Sequence, residues 1–292
     1  KGGNGFWVKC ETWNFDGEDV YVFNRPNCFG TLESDDGDYT GLNEVILTCK
    51  KFKSISDELG INYIFKGSFD KANRSSVSSF RGPGLDEGLK ILQEVSTEFN
   101  VAVVTDIHEP SQAMPVSEVC EIVQIPAFLA RQTDLVVAAA KTSSILQFKK
   151  PQFLSAPEMK NIIEKCESAG NQKITLCERG NSFGYNNLVV DTLNFQILKN
   201  LNKPTIFDVT HSLQLPGGLG NAAGGRREYL LSLAKAGISQ GIAGLFLEAH
   251  PDPDNAKCDG PCALRLDMVK PFLKQIKDLD SFIKNQEILD IS

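Results

Sequence analysis

Residues 61–107 read INYIFKGSFDKANRSSVSSFRGPGLDEGLKILQEVSTEFNVAVVTDI. The apolar run that begins at Ile61 predicts a strand over Tyr63–Phe69, and apolar residues then recur at helical spacing in Leu85–Phe99. A second strand, rich in β-branched residues, is predicted at Val101–Ile107. The polar stretch Lys66–Gly84 is therefore a loop between a strand and a helix, and the whole segment forms a βαβ unit.

The same alternation continues in both directions along the chain. Further strands are predicted at Val20–Phe23, Ile122–Phe128, Ser144–Lys149, Lys173–Cys177, Thr205–Thr210 and Ile242–Glu248. Further helices are predicted at 45–59, Pro115–Cys120, Thr133–Thr142, Ala156–Ala169, 193–201, Arg226–Ala236 and Leu266–Ile283. Eight βα units in about 250 residues are typical of a single (β/α)8 TIM barrel. A doubly wound open sheet is the alternative, because alternation alone does not decide closure.

Composition limits the possible functions. The 292 residues contain no linker or composition shift, so we expect one domain over residues 1–292. A net charge of −7 disfavours a general nucleic-acid binder. No apolar run approaches the ~18 residues of a membrane span, and the start Lys1-Gly-Gly-Asn has no secretory pattern. Eight scattered cysteines suit buried thiols in a reducing cytoplasm, and Cys258 with Cys262 lacks the second pair of a zinc site.

Ionisable residues follow seven consecutive predicted strands. In chain order they are Lys66 with Lys71, Asp106 with His108 and Glu109, Arg131, Lys149 with Lys150, Glu178 with Arg179, Asp208 with His211, and Glu248 with His250. In a TIM barrel the carboxyl ends of the strands carry the chemistry. Five cations at one mouth (Lys66, Lys71, Arg131, Lys149 and Arg179) predict a substrate with several negative groups, such as a phosphate and a carboxylate.

Other patterns are less specific. The glycine-rich segment 215–227 runs into a helix and suits a lid or an anion contact. It is not a dinucleotide fingerprint, and the chain has no Walker loop. His211, Glu248 and Asp259 are suited to metal ligation or to acid–base catalysis, but hydrogen bonding within the fold is the commoner role for such residues.

Long motifs resemble the 3-deoxy-D-manno-octulosonate 8-phosphate synthase family from about Gly60 to the C-terminus. They are Lys66–Gly84, Thr105–Glu109, Gln124–Asp134, Lys149–Phe153, Glu178–Gly180 with Phe183–Tyr185, Phe207–Ser212, Glu248–Pro253 and Cys258–Pro261, in the family's order. The resemblance implies a cytoplasmic, homotetrameric TIM-barrel transferase. It would condense phosphoenolpyruvate with D-arabinose 5-phosphate, release phosphate and serve lipopolysaccharide inner-core sugar biosynthesis.

The resemblance also implies roles for individual residues. Catalytic roles fall to Lys71, His211 and Asp259. Substrate contacts fall to Lys66, Ser68, Asn73, Arg74, Ser75, Gln124, Ala127, Phe128, Arg131, Lys149, Gln152, Arg179, Gln214 and Glu248. Of these, Asn73, Arg74 and Ser75 would hold the sugar phosphate, partly from a neighbouring subunit.

The match fails over about residues 1–60, where the N-terminal segment is atypical. In the family an Asn or a Cys near the first strand end separates metal-independent from metal-dependent enzymes. Here Asn27 and Cys28 are adjacent, and an alignment on Leu32-Glu-Ser34 places Gly30 at that position. Lys149-Lys-Pro-Gln152 favours the metal-independent branch, with no cofactor. The alternative is one divalent ion held by Cys28, His211, Glu248 and Asp259.

Two competing functions remain open from the sequence. One is the sister enzyme that makes 3-deoxy-D-arabino-heptulosonate 7-phosphate, whose loop reads more like K-P-R-T-S than Lys71-Ala-Asn-Arg-Ser75. The other is a barrel that binds a sugar phosphate without turning it over.

Overall fold

Eight parallel strands form a closed barrel. A computed structural model describes residues 21–25, 42–74, 76–217, 224–256, 258–287 and 289. The strands are β1 (Tyr21–Arg25), β2 (Asn62–Lys66), β3 (Ala102–Asp106), β4 (Ile122–Ile125), β5 (Ile145–Lys149), β6 (Ile174–Glu178), β7 (Thr205–Asp208) and β8 (Gly244–His250). Each strand pairs with the next, and Phe23 of β1 pairs in register with both Ile64 of β2 and Phe246 of β8. The sheet therefore has no open edge, which confirms the TIM barrel and excludes the doubly wound alternative.

One helix follows each strand. They are α1 (Leu42–Leu59), α2 (Leu85–Phe99), α3 (Ala113–Val119), α4 (Thr133–Ala140), α5 (Met159–Ser168), α6 (Leu193–Lys199), α7 (Leu230–Ile238) and α8 (Val269–Lys284). The strongly amphipathic α2 and α8 bury Leu92 and Leu273 against the barrel. Short antiparallel pairs, 181–182 with 188–189 and 214–215 with 224–225, decorate the loops after β6 and β7.

Two separate apolar layers stabilise the barrel. The larger lies between strands and helices and includes Phe52, Phe65 and Phe195. The smaller takes one residue from each strand: Phe23, Ile64, Val104, Ile122, Ile145, Cys177, Ile206 and Phe246. This ring of buried side chains is the lumen layer, and it makes the barrel a packed core rather than a pore.

Local chemistry shifts several predicted boundaries. The predicted strand 122–128 ends at Ile125, because Pro126 cannot donate a ladder hydrogen bond and a short 3-10 turn, Ala127–Leu129, follows. The predicted strand 205–210 ends at Asp208, whose carboxylate accepts a hydrogen bond from the His211 N–H and so caps the helical turn Val209–Ser212. The predicted strand 63–69 ends at Lys66.

Some residues named in the sequence analysis lie outside the described residues, so the predictions about them are not tested. Cys28, Asn27, Gly30, Leu32–Ser34 and Ser75 lie outside them, as do residues 218–223 of the glycine-rich segment. The extent of the domain over residues 1–60 therefore stays a prediction. Among the described helices, none combines the length and the apolar content that a bilayer crossing requires.

Candidate active site

Polar side chains replace apolar ones above the lumen layer. Residues two apart in a strand face the same side, so the residue two positions after each lumen residue also points inward. These residues are buried and polar on seven strands: Lys66, Asp106, Gln124, Gln147, Arg179, Asp208 and Glu248. Lys149, four positions after Ile145, joins them from β5. The strand ends thus place five of the predicted site residues at the same end of the barrel: Lys66, Gln124, Lys149, Arg179 and Glu248.

Lys66 and Asp106 form an ion pair between adjacent strands. The Lys66 Nζ lies 2.7 Å from the Asp106 Oδ1, and the Ser68 hydroxyl bonds with both side chains. The Nε2 of His108 lies 3.1 Å from the other carboxylate oxygen, Oδ2. Burial raises the pKa of Asp106, but Lys66 and His108 outweigh it, and the pKa lies well below its usual value. Asp106 is therefore a fixed anion that orients Lys66.

Lys149 lies between a carboxylate and an aromatic ring. Its Nζ donates to the Asp208 Oδ2 at 2.6 Å and sits 3.2 Å from the centroid of the Phe246 ring. A cation over a ring face in a desolvated site is attracted by the ring quadrupole. The two contacts hold the ammonium group at the top of the lumen layer.

His211 is surrounded by three carboxylates. Its Nδ1 lies 2.8 Å from the Asp208 Oδ2, and its Nε2 lies 3.7 Å from Glu248 and 3.8 Å from Asp259. Burial lowers the pKa of His211, but Asp208 and Glu248 together raise it to about 9. Without a metal ion, the imidazole is therefore cationic at neutral pH, and a bound cation would displace its proton.

A hydrogen-bonded chain links Arg179 to Asp259. The Arg179 Nη2 donates to the Gln214 Oε1 at 3.1 Å, and the Gln214 Nε2 donates to the Asp259 Oδ1 at 2.6 Å. The buried Nη1 of Arg179 has no hydrogen-bond partner among the described residues. A guanidinium with a free buried donor suits an anionic ligand.

Three residues of the cluster have the donor set of a divalent cation. His211, Glu248 and Asp259 each offer one ligand atom, and these atoms lie within 4.8 Å of one another. One imidazole with two carboxylates is a common set for first-row divalent metals, so the residues fit such an ion. The fourth predicted ligand, Cys28, lies outside the described residues.

The loop after β2 carries the predicted sugar-phosphate residues. Lys71 is buried, and its backbone N–H donates to the Arg81 carbonyl at 2.6 Å. Asn73 is exposed and Arg74 is partly buried. Phe69 is almost fully buried below them and contacts the His108 ring edge-on at 5.8 Å.

The remaining predicted residues lie at the rim. Ala127 and Gln152 are partly buried, and Phe128 is 55% exposed. Arg131 is exposed at the start of α4, where its carbonyl accepts a hydrogen bond from Lys165 of α5. The role of the Arg131 side chain in substrate binding stays a prediction.

The sequence analysis gave no role to three central residues, Asp106, Asp208 and Phe246. Asp106 and Asp208 orient the buried lysines, and both were visible as acids at strand ends. Phe246 gave no sequence signal beyond its place in a strand. The sequence analysis also grouped Lys150 and Glu178 with the residues of the barrel mouth. Each is next in sequence to an inward-facing cation and therefore faces away from the lumen, where the two form a fully buried pair.

A TIM barrel whose strand ends hold buried cations, carboxylates and a histidine is an enzyme scaffold suited to anionic substrates. The family model for the DAHP synthetase I family matches residues 40–285. The chain is 64% identical over 237 residues to a 2-dehydro-3-deoxyphosphooctonate aldolase of Pseudomonas putida (strain GB-1), covering 81% of this chain and 84% of the relative. Two proteins with the same name are equally similar. The one from Pseudomonas syringae pv. syringae is 63% identical over 83% of this chain and 86% of its own length. The one from Azotobacter vinelandii is 64% identical over 81% of this chain and 84% of its own length. The chain therefore belongs to the DAHP synthetase I family and, within it, to the 2-dehydro-3-deoxyphosphooctonate aldolases.

Proposed function

We propose that the protein condenses phosphoenolpyruvate with D-arabinose 5-phosphate and water, giving 3-deoxy-D-manno-octulosonate 8-phosphate and phosphate. The observation that carries the proposal is the set of buried cations Lys66, Lys149 and Arg179 at the ends of β2, β5 and β6. These cations suit the carboxylate and phosphate of phosphoenolpyruvate. The relatives' shared name favours this product over the heptulosonate alternative.

In the proposed reaction, C3 of phosphoenolpyruvate attacks the aldehyde carbon of the sugar. Water adds at C2, and the resulting tetrahedral intermediate expels inorganic phosphate as its C2–O bond breaks. Fixed cations stabilise the charge that develops at the reacting oxygens. Lys71 donates the proton that the aldehyde oxygen gains. His211, Gln214 and Asp259 line the space for the aldehyde and the attacking water.

The loop after β2 supports the choice of sugar. Asn73, Arg74 and Ser75 would hold the phosphate of arabinose 5-phosphate, with part of the contact supplied by a neighbouring subunit of a homotetramer. Exposed Asn73 is compatible with a contact across subunits. The product would serve lipopolysaccharide inner-core sugar synthesis in the cytoplasm, a compartment supported by six buried free cysteines among the described residues.

We propose that catalysis is metal-independent, because Lys149–Gln152 resembles that branch of the family. A divalent ion, if required, would be held by His211, Glu248 and Asp259, with Cys28 as the fourth candidate. When bound, it would act as a Lewis acid next to the reacting oxygens.

One assay tests these proposals. Phosphate release from phosphoenolpyruvate is measured with arabinose 5-phosphate or erythrose 4-phosphate, each with and without a chelator. We expect phosphate release with arabinose 5-phosphate and none with erythrose 4-phosphate. The chelator should not lower the rate of release. Release only with erythrose 4-phosphate would favour the heptulosonate enzyme, and no release with either sugar would favour a binding barrel. Loss of release on chelation, restored by added metal, would overturn metal independence.

A further inference from the structure

A fully buried ion pair lies directly behind the two cations at the ends of β5 and β6. Lys150 follows Lys149, and Glu178 precedes Arg179, so each member adjoins one inward-facing cation. The Lys150 Nζ lies 3.6 Å from the Glu178 Oε1, and both side chains are 0% exposed. Because successive strand residues face opposite sides, the pair lies outside the lumen, on the side away from Lys149 and Arg179.

Lys150 binds the backbone after β5 and the loop after β6. Its Nζ donates to the Asn181 Oδ1 at 2.7 Å and to the carbonyls of Pro151 and Leu154, both at 3.3 Å. A single ammonium group therefore connects both loops. A further backbone bond joins them, from the Ser182 N–H to the Gln152 carbonyl at 3.0 Å.

Glu178 binds the backbone that carries Arg179. Its Oε1 accepts hydrogen bonds from the N–H of Arg179 at 2.9 Å and of Gly180 at 2.6 Å. These bonds fix the chain where it turns out of β6, at a glycine with φ of 85°. The direction in which the Arg179 side chain leaves the strand is set there.

Stability alone does not explain a buried pair at this place. Burying two charges costs desolvation free energy, and apolar replacements of such pairs are often neutral or stabilising. Here most hydrogen bonds of the pair go to the backbone next to Lys149 and Arg179, the two cations that the proposed function assigns to phosphoenolpyruvate. Misplacement of a binding group by about 1 Å can reduce the rate about 100-fold.

We propose that Lys150 and Glu178 are positioning residues that fix the strand ends of β5 and β6, so that Lys149 and Arg179 meet the anionic groups of phosphoenolpyruvate. The inference rests on the proposed function, since that function assigns phosphoenolpyruvate to these two cations. It assigns no contact with substrate to the pair itself.

The test compares the single variants Lys150→Met and Glu178→Met with the double variant that carries both changes. The matched control is Lys284→Met, which breaks the largely buried Lys284–Asp280 pair (2.9 Å) near the end of α8. Melting temperature, kcat and KM for each substrate are measured, and crystal structures are determined. Wild-type turnover tests the proposed function separately, and the crystal structures test the inference even if turnover is absent.

We expect each single variant to lose about 100-fold in kcat/KM for phosphoenolpyruvate, with KM for arabinose 5-phosphate unchanged. The double variant should regain the melting temperature but not kcat/KM, and Lys284→Met should lose melting temperature only. In the variant crystals the contact between the Arg179 Nη2 and the Gln214 Oε1 (3.1 Å) should be broken. Recovery of kcat/KM together with melting temperature in the double variant would overturn the inference, as would an unmoved Arg179. If the single variants do not fold, the double variant decides.

Discussion

At the scale of single residues, the site is a balanced set of charges rather than a surplus of cations. Lys66 is paired with Asp106, and Lys149 is paired with Asp208. Carboxylates that hold ammonium groups in place remove the need to reorganise them when the substrate binds, which is the basis of electrostatic preorganisation. The acids next to the cations therefore matter as much as the cations that the sequence emphasised.

Lys71→Met tests the proposed proton donor. A positioned general acid contributes roughly 100-fold to 10,000-fold to a rate, so turnover should fall by that order. The steady-state rate of phosphate release measures it. Lys90→Met, which changes an exposed lysine of α2, is the control and should behave as wild type. Near-normal turnover of Lys71→Met would refute the role.

Asp208→Asn tests the charge balance around His211. Since burial lowers the pKa of this imidazole and Asp208 is the foremost group that raises it, removing that charge should move the pKa from about 9 downwards. Asparagine still caps the helical turn, so the local fold should persist. The pKa is measured by NMR on labelled histidine, of which the chain has three. Asp252→Asn, next to His250, is the control and should leave the His211 titration unchanged. A midpoint that stays near 9 in Asp208→Asn would contradict this account.

The same shift has a consequence for stability. The folded-state pKa of His211 lies above the value of about 6.5 expected in an unfolded chain. Protonated His211 therefore stabilises the fold fully below about pH 6.5, and this contribution is lost as the pH rises through about 9. The dependence on pH of the unfolding free energy should be weaker in Asp208→Asn over that range.

At the scale of elements, hydrogen bonds join the start and the end of the loop after β2. Residues 69–71 run beside residues 81–84: the Lys71 N–H bonds to the Arg81 carbonyl, and the Gly84 N–H bonds to the Phe69 carbonyl. The Arg81 guanidinium also forms a two-point contact with the Asp70 carboxylate. The loop can therefore present Lys71 and Asn73 from a fixed base.

Gly82→Ala tests that base. A Cβ at Gly82 would lie 2.5 Å from the Phe69 carbonyl oxygen, and its φ is 123°. Gly60→Ala is the matched control, because Gly60 has a φ of 63° but open space around it. The control should lose about 1–2 kcal/mol of unfolding free energy, the cost of a side chain in the left-handed region, and keep its activity. Gly82→Ala should lose more stability and also raise KM for the sugar phosphate. Denaturant unfolding and steady-state kinetics measure both, and equal behaviour of the two variants would contradict the close-approach argument.

At the scale of the whole molecule, the lumen layer joins stability to the site. Phe246 belongs to that layer, stacks on Phe23 at 6.4 Å and lies directly beneath the Lys149 ammonium group. Phe195 is equally buried but belongs to the outer layer, where its ring meets Phe207 at 5.0 Å. Loss of either ring should destabilise the barrel, but only one supports a cation of the site.

Phe246→Ala and Phe195→Ala separate these effects. Each should lower the unfolding free energy by about 3–5 kcal/mol, the usual cost of such a truncation. Only Phe246→Ala should also lower kcat/KM for phosphoenolpyruvate, measured at a temperature at which both variants are folded. A similar kinetic loss in Phe195→Ala would show that reduced stability alone lowers activity.

Local pattern was sufficient for the order of elements. Eight apolar runs of strand length alternate with helical periodicity, and every predicted strand has a counterpart in the barrel. The predicted strand ends were wrong where a single residue stops the strand before its apolar pattern ends. Pro126 ends β4, and Asp208 ends β7 because its carboxylate caps the helical turn that follows.

By itself, the sequence determined that strand and helix alternate, that ionisable residues follow the strands, and which family's motifs they form, because periodicity and motif order are local properties. Only the tertiary structure decided that the sheet closes between β1 and β8. It also decided that Lys149 meets Asp208 across 59 positions, while Lys150 turns away to Glu178. Such partners are set by the pleat and by strand order, which place residues distant in sequence within bonding distance.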